Sequence, residues 1–129
     1  MTAIEALAEG YLALGLESDG HLFAGETPAK APQVRTVLAA GAGSAHATLP
    51  VETLPVRVNV YDPDARTAHE RARAAYEALH QRGEWHLTGW RVLGIVAVQP
   101  PWAAPAGDEQ GKRVYRVVFD ARVVMVSGG

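Results

Sequence analysis

Apolar positions recur along this chain with two periods, and the points where one gives way to the other outline its elements. Ile4, Leu7, Ala8, Tyr11, Leu12 and Leu14 fall at helical spacing with Glu5 and Glu9 on the other side. Thr2 stands three residues before Glu5, as in a capping box, so a first helix is predicted from Ala3 to Leu14. Gly15 and the run Glu17-Ser18-Asp19-Gly20 end it, and His21 to Gly25 leaves room for only a short extended piece. Val34, Thr36 and Val37 predict a strand from Gln33 to Ala39, broken by Gly41-Ala42-Gly43-Ser44, after which Ala40 to Thr53 reads as a long loop of small residues. Strict alternation follows. Val56, Val58 and Val60 share one face of a strand and Arg57, Asn59 and Tyr61 the other, the pattern of a sheet covered on one side.

Asp62 is placed to cap a second helix, with Pro63 at its first position and Asp64 against the positive end of its dipole. Ala65, Ala68, Ala72, Ala75, Tyr76 and Leu79 form its apolar stripe, and Gly83 ends it. Glu84 to Val98 then reads as a short strand, a Thr88-Gly89 turn and a longer strand from Trp90 to Val98. The stretch Gln99 to Gly111 contains three prolines that lack amide donors, so it is expected to leave the sheet as a projecting arm. Arg113 to Val126 is the last and longest strand. One face carries Tyr115, Val117, Phe119, Ala121, Val123 and Met125; the other mixes Val114, Val118 and Val124 with Arg116, Asp120 and Arg122. That second face is too apolar to be wholly wet and too charged to be wholly buried, which points to partial cover by another subunit. The order α, β, β, α, β, β, β, without repeat or linker, predicts a single α+β domain: a two-layer sandwich with both helices on one face of a four- to five-stranded, mixed but mostly antiparallel sheet.

Composition narrows the function classes. A chain of 129 residues, 48% hydrophobic and 20% charged, is expected to fold around one core. A formal net charge of −2 argues against a generally basic nucleic-acid binder, although twelve Lys and Arg residues leave room for a local patch. The absence of cysteine removes disulfide scaffolds, thiolate zinc sites and cysteine nucleophiles together. No run approaches the ~18 apolar residues that cross a bilayer, and the first twenty residues lack a secretory leader, so a soluble protein made in the cytoplasm is expected, with no membrane partner.

Candidate chemistry is sparse. Gly41 to Ser44 follows a strand as a phosphate loop would, but no Lys-Ser/Thr pair follows it and no helix opens there. His69 and His80 lie eleven apart on one helix, about 16 Å at the standard rise, too far to share a metal, and His21, His46 and His86 have no ligand spacing. Asp62 and Asp64 are explained by capping, and neither Ser44 nor Ser127 has a partnered base in the pattern. No catalytic residue, metal site or cofactor is therefore expected. Trp85 and Trp90 border a predicted hairpin, where cross-strand packing is their usual role. Trp102 differs, because an aromatic on a projecting arm is a typical anchor for a protein partner.

Three segments stand in order, "HLFAGETPAKAPQVRTVLAAGAG", "LPVRVNVYDPDARTAHERARAAYEALHQ" and "VQPPWAAPAGDEQGKRVYRVVFDARV", within a span from about His21 to Val126. In that order the sequence resembles the tail-terminator and minor capsid proteins of long-tailed bacteriophages, which complete the tail and join it to the head. The resemblance implies helices on a mixed sheet and a hexameric ring of identical subunits. Such a ring would cap the tail tube, meet the tube protein on one side and the head-tail connector on the other, and reside in the virion after assembly in the bacterial cytoplasm. It also implies a structural protein rather than an enzyme, without sequence-specific nucleic-acid recognition. Carried onto this chain, it makes Arg57, Arg116 and Arg122 candidates for the lumen or a subunit contact. Trp102 and Asp108, on an arm from about 99 to 112, and Arg113 beside it become candidates for an interface. Two other readings stay open: a different neck protein, such as a connector or stopper, and a small α+β ligand-binding domain or enzyme with its pocket under Ala40 to Thr53.

Overall fold

The computed structural model describes residues 1–25, 27, 30–103 and 113–126. Helix α1 (Ala3–Ala13) opens with the predicted capping box: the Thr2 hydroxyl accepts from the Glu5 amide while the Glu5 carboxylate accepts from the Thr2 amide. Gly15 takes a positive φ of 73° just beyond its end, a conformation glycine adopts without strain. Strands β1 (Leu22–Ala24), β2 (Arg35–Ala40), β3 (Ser44–Ala45) and β4 (Glu52–Asp62) precede helix α2 (Ala65–Leu79). Strands β5 (Trp85–Leu87), β6 (Trp90–Ala103) and β7 (Arg113–Met125) follow it.

The strands form one mixed sheet in the order β1-β2-β4-β7-β6-β5, with β3 alongside the start of β4. Among the described residues only β1 and β2 run parallel; every other pair is antiparallel. This is the expected α+β class, with seven strands among the described residues instead of four or five. The additional pairings are short. Within the predicted loop, Ser44 and Ala45 find Thr53 and Glu52 on the early part of β4. The tip of that hairpin is tied by the His46 ring, whose Nδ1 accepts from the amides of Thr48 and Leu49, both at 3.1 Å.

Helix α2 packs on β4, β7 and β6 in the middle of the sheet, whereas α1 touches β1 and β2 at one edge and β5 at the other. One helix can reach both edges only if the sheet curls around the helical layer. The concave side thus holds the core, where Val58, Val60, Val92 and Val117 have no exposed surface and Phe119 has almost none. Fully burying each such side chain contributes about 1.5–3 kcal/mol. Closure of the curl depends on Gly10, because a Cβ there would lie 2.5 Å from the Trp85 ring and 2.8 Å from Leu87.

Three local expectations need correction. Asp62 does not cap α2: it is the last residue of β4 and is buried, and its carboxylate accepts from the Asp64 amide. The cap is Asp64, which accepts from the Arg66 amide and the Thr67 hydroxyl, so Pro63 lies before the cap and not in the first turn. Nor does Gly83 supply the left-handed residue after α2; Gln81 does, at φ 61°. The third concerns the arm. Strand β6 runs through Pro100 and Pro101 to Ala103, with Gln99 opposite Val118 and Trp102 opposite Arg116. Register shifts between Ala97 and Gln99 and between Gln99 and Trp102 absorb the two prolines, as bulges on a strand with one open edge can. The remainder of the predicted arm, 104–112, lies outside the described residues.

Candidate functional site

The period of two divides β4 and β7 between the layers. Val56, Val58 and Val60 pair with Phe119, Val117 and Tyr115 on the helix side, which turns Arg57, Asn59, Arg116, Val118, Asp120 and Arg122 to the convex face. Neighbouring strands add to that face. Arg35 and Val37 lie opposite Tyr61 and Asn59, and Val96, Gln99 and Trp102 lie opposite Asp120, Val118 and Arg116. The sequence-predicted residues Arg57, Arg116, Arg122 and Trp102 are thereby gathered on one surface, although they come from strands far apart in the chain. Asp108 lies outside the described residues, and Arg113 begins β7 opposite Asp62.

The face is neither dry nor plainly solvated. Arg116 crosses from β7 to β4, where its Nε donates to Asn59 Oδ1 at 2.7 Å, and its guanidinium lies 5.9 Å from the centre of the Trp102 ring. The Arg35 guanidinium sits over Tyr61 at 4.0 Å. Val37, Asn59 and Val114 are buried on this side, while Val96 and Trp102 keep 55% and 37% of their surface exposed. Trp102 is therefore an anchor candidate on a sheet, held by a cross-strand cation–π contact, and does not stand on a projecting arm.

A second constellation lies on the helix side and has no counterpart in the sequence reading. The Arg71 guanidinium on α2 pairs with Glu17 in the segment after α1 and with Asp62 at 3.5 Å. It also donates to the Tyr61 carbonyl at 3.2 Å and to the Thr36 hydroxyl at 3.1 Å, and that hydroxyl in turn donates to Glu17 at 2.6 Å. The Glu17 and Asp62 side chains are 7% and 9% exposed. Tyr11 packs beside them; burial, with the Glu17 carboxylate adding to it, pushes its phenol well above the ordinary value of 10.0. Chemically the cluster is a clamp, since one fork-shaped cation satisfies acceptors from α1's exit, β2 and β4 together. Its only mark in the sequence is an Arg beside the alanine stripe of α2; which carboxylates reach it is decided by the curl of the sheet.

The five histidines are engaged locally. His80 Nδ1 accepts from the Ala97 amide at 2.9 Å, His21 Nδ1 lies 2.8 Å from the Val34 carbonyl, His69 meets Tyr115 edge-on, His86 pairs with Glu84, and His46 holds its hairpin. Together with the Ile95 amide donating to the Arg82 carbonyl and the two prolines, the His80 contact blunts the open edge of β6. Between the layers a cavity of about 10 Å³, lined by Leu7, Tyr11, Leu38, Phe119 and other apolar groups, is a packing void at the limit for one water. A shallow groove of about 270 Å³ does lie at the β3–β4 hairpin, against Ser44, Glu52, Thr53 and Trp90; Glu52 is its one ionisable group among the described residues.

No protein-family profile matches the sequence, and no curated protein matches it significantly.

Proposed function

We propose that the protein is a structural component of a phage virion that closes the tail tube as a ring and offers the joining surface for the head, as the tail-terminator proteins its sequence resembles do. The observation that carries this reading is the convex sheet face. Arg35, Arg57, Arg116, Arg122, Asp120, exposed Val96 and exposed Trp102 share a surface that neither helix covers. Apolar side chains interleaved with charge are the anatomy of an interface between proteins that also meet water. The α+β architecture agrees with the fold the resemblance implies. In this reading the helical layer and the Arg71 clamp are scaffold, the protein performs no catalysis, and its partners are its own copies, the tube protein and the connector. DNA passes through the ring without being recognised by sequence.

Native mass measurement over a wide concentration range, with negative-stain images of the most concentrated sample, tests it. Closed rings are expected, six subunits being the number the resemblance implies. Tails grown without the protein are expected to be overlong or ragged; normal-length tubes detached from full heads would move the assignment to a connector. The groove at the β3–β4 hairpin supports one other reading, a small ligand-binding domain. That reading requires a stable monomer or two-fold dimer with a saturable ligand shift in melting temperature.

A further inference from the structure

The two sides of the molecule carry opposite charge. On the convex face, Arg35, Arg57, Arg116 and Arg122 outnumber Asp120, the one acid that the register of β2, β4 and β7 places among them, while Arg91, opposite Val124 on the same face, is taken up by Glu84 at 2.6 Å. On the other side, the sequence of α1 contains no Lys or Arg and exposes Glu5 and Glu9, and Asp19 is exposed in the segment that follows. Helix α2 adds nothing to cancel them, because Arg66 and Arg73 are taken up by Glu70 and Glu77 four residues on. The net charge of −2 conceals this separation, since the two patches nearly cancel.

Resting on the head-to-tail assembly proposed above, we infer that the convex sheet face of one copy docks on the acidic α1 side of the next. Arg57, Arg122 and Trp102 are the centre of one half of the contact and Glu9 and Asp19 of the other. The patches lie on opposite sides of the sheet, so the contact joins different surfaces and propagates around a ring instead of closing a two-fold dimer. A second copy fits better than a nucleic acid for two reasons. A guanidinium already lies over one face of each ring, Arg35 on Tyr61 and Arg116 near Trp102, which halves the platform for stacking bases. Exposed Val96 and Val98 along β6 lose water only against another apolar surface, whereas a phosphate backbone would leave them wet.

The test uses the full chain, measured by sedimentation velocity at about 50 and about 500 mM salt, a range over which screening of exposed charges rises steeply. R57E/R122E and E9K/D19K reverse the two patches at exposed positions, and circular dichroism melting verifies that each remains folded. Each variant alone is expected to associate about tenfold or more weakly, because like charges then face one another. An equimolar mixture is expected to regain association, since the unaltered convex face of one variant still meets the unaltered α1 side of the other, and their two reversed patches match as well. Trp102→Ala is expected to weaken assembly at both salt concentrations. Rings that persist unchanged in R57E/R122E would overturn the docking inference and leave the ring reading intact. A wild-type chain that forms only a two-fold dimer, or remains monomeric at both salt concentrations, would overturn both. Loss of binding to single-stranded oligothymidine in R57E/R122E without loss of association would reassign the face to nucleic acid and overturn the inference.

Discussion

Removing the Arg71 side chain is the most severe single perturbation the structure offers short of emptying the core. Arg71→Ala leaves Glu17 and Asp62, at 7% and 9% side-chain exposure, without the cation that both face, and it strips donors from the Tyr61 carbonyl and the Thr36 hydroxyl. Breaking a buried pair from one side costs about 3–5 kcal/mol, because the remaining charge keeps its desolvation penalty and loses its partner. Against a typical domain stability of about 5–15 kcal/mol this is a large share. With an unfolding entropy of about 2.1 cal/mol/K per residue, a chain of 129 residues loses roughly 4 °C per kcal/mol, so the variant should melt about 10–20 °C lower. Urea denaturation of wild type, Arg71→Ala, Glu17→Gln and the double variant makes a cycle in which the double loses clearly less than the sum of the singles. Arg71→Lys should recover only part of the loss, since an ammonium cannot fork between two carboxylates. A loss below about 1 kcal/mol in Arg71→Ala, the range of a solvated surface pair, would refute the clamp.

Three further outcomes follow from the same geometry. Tyr11 holds its proton well above 10.0 because it is buried, so the folded state binds more protons than the unfolded one in alkali and stability falls as pH rises past 10. Tyr11→Phe should flatten that alkaline decline in a pH series of urea midpoints; an unchanged slope would count against it. The Glu5 and Asp64 carboxylates are held below their ordinary values of 4.5 and 3.8, chiefly by hydrogen bonds with Thr2 and Thr67 respectively, so their contribution is present above those values and is lost as pH falls below them. Thr2→Ala and Asp64→Ala should each lower the melting temperature at neutral pH and show less further loss in acid than the wild type. Gly10→Ala improves helix propensity by about 1 kcal/mol but drives a methyl into Trp85 and Leu87, and overpacking of this kind costs about 1–3 kcal/mol. The net effect expected is destabilisation with a shifted Trp fluorescence maximum, and a more stable variant would show that α1 does not pin β5.

Local rules account for the parts of this fold that local rules govern. The capping box of α1, the alanine stripe of α2, the alternation in β4 and β7 and the Thr88-Gly89 turn were all legible, because each depends on a period or a turn residue within a few positions. The same alternation separates Arg57, Arg116 and Arg122 from the apolar faces of their strands. Boundaries were less legible where two local signals competed. Asp62 and Asp64 both have the chemistry of a cap, and only the pairing of Asp62 with Arg113 in the β4–β7 ladder commits it to the strand. The prolines at 100 and 101 signal a strand end, yet β7 is long enough to keep β6 in register beyond them at the cost of bulges.

The sequence by itself determined the two-layer class, the helices and the composition of the sheet's two faces, because periodicity is a property of the backbone that no distant contact alters. What only the tertiary structure decided are the relations between residues far apart in the chain: the curl that brings α1 to both sheet edges, the meeting of Glu17, Thr36, Asp62 and Arg71, and the placement of Trp102 against Arg116. Those relations depend on strand order and register, and these are chosen by the packing of the whole core. A one-residue slip of β7 would exchange its buried and exposed sets, taking Arg116 and Arg122 off the convex face and with them the charge separation on which the docking inference rests.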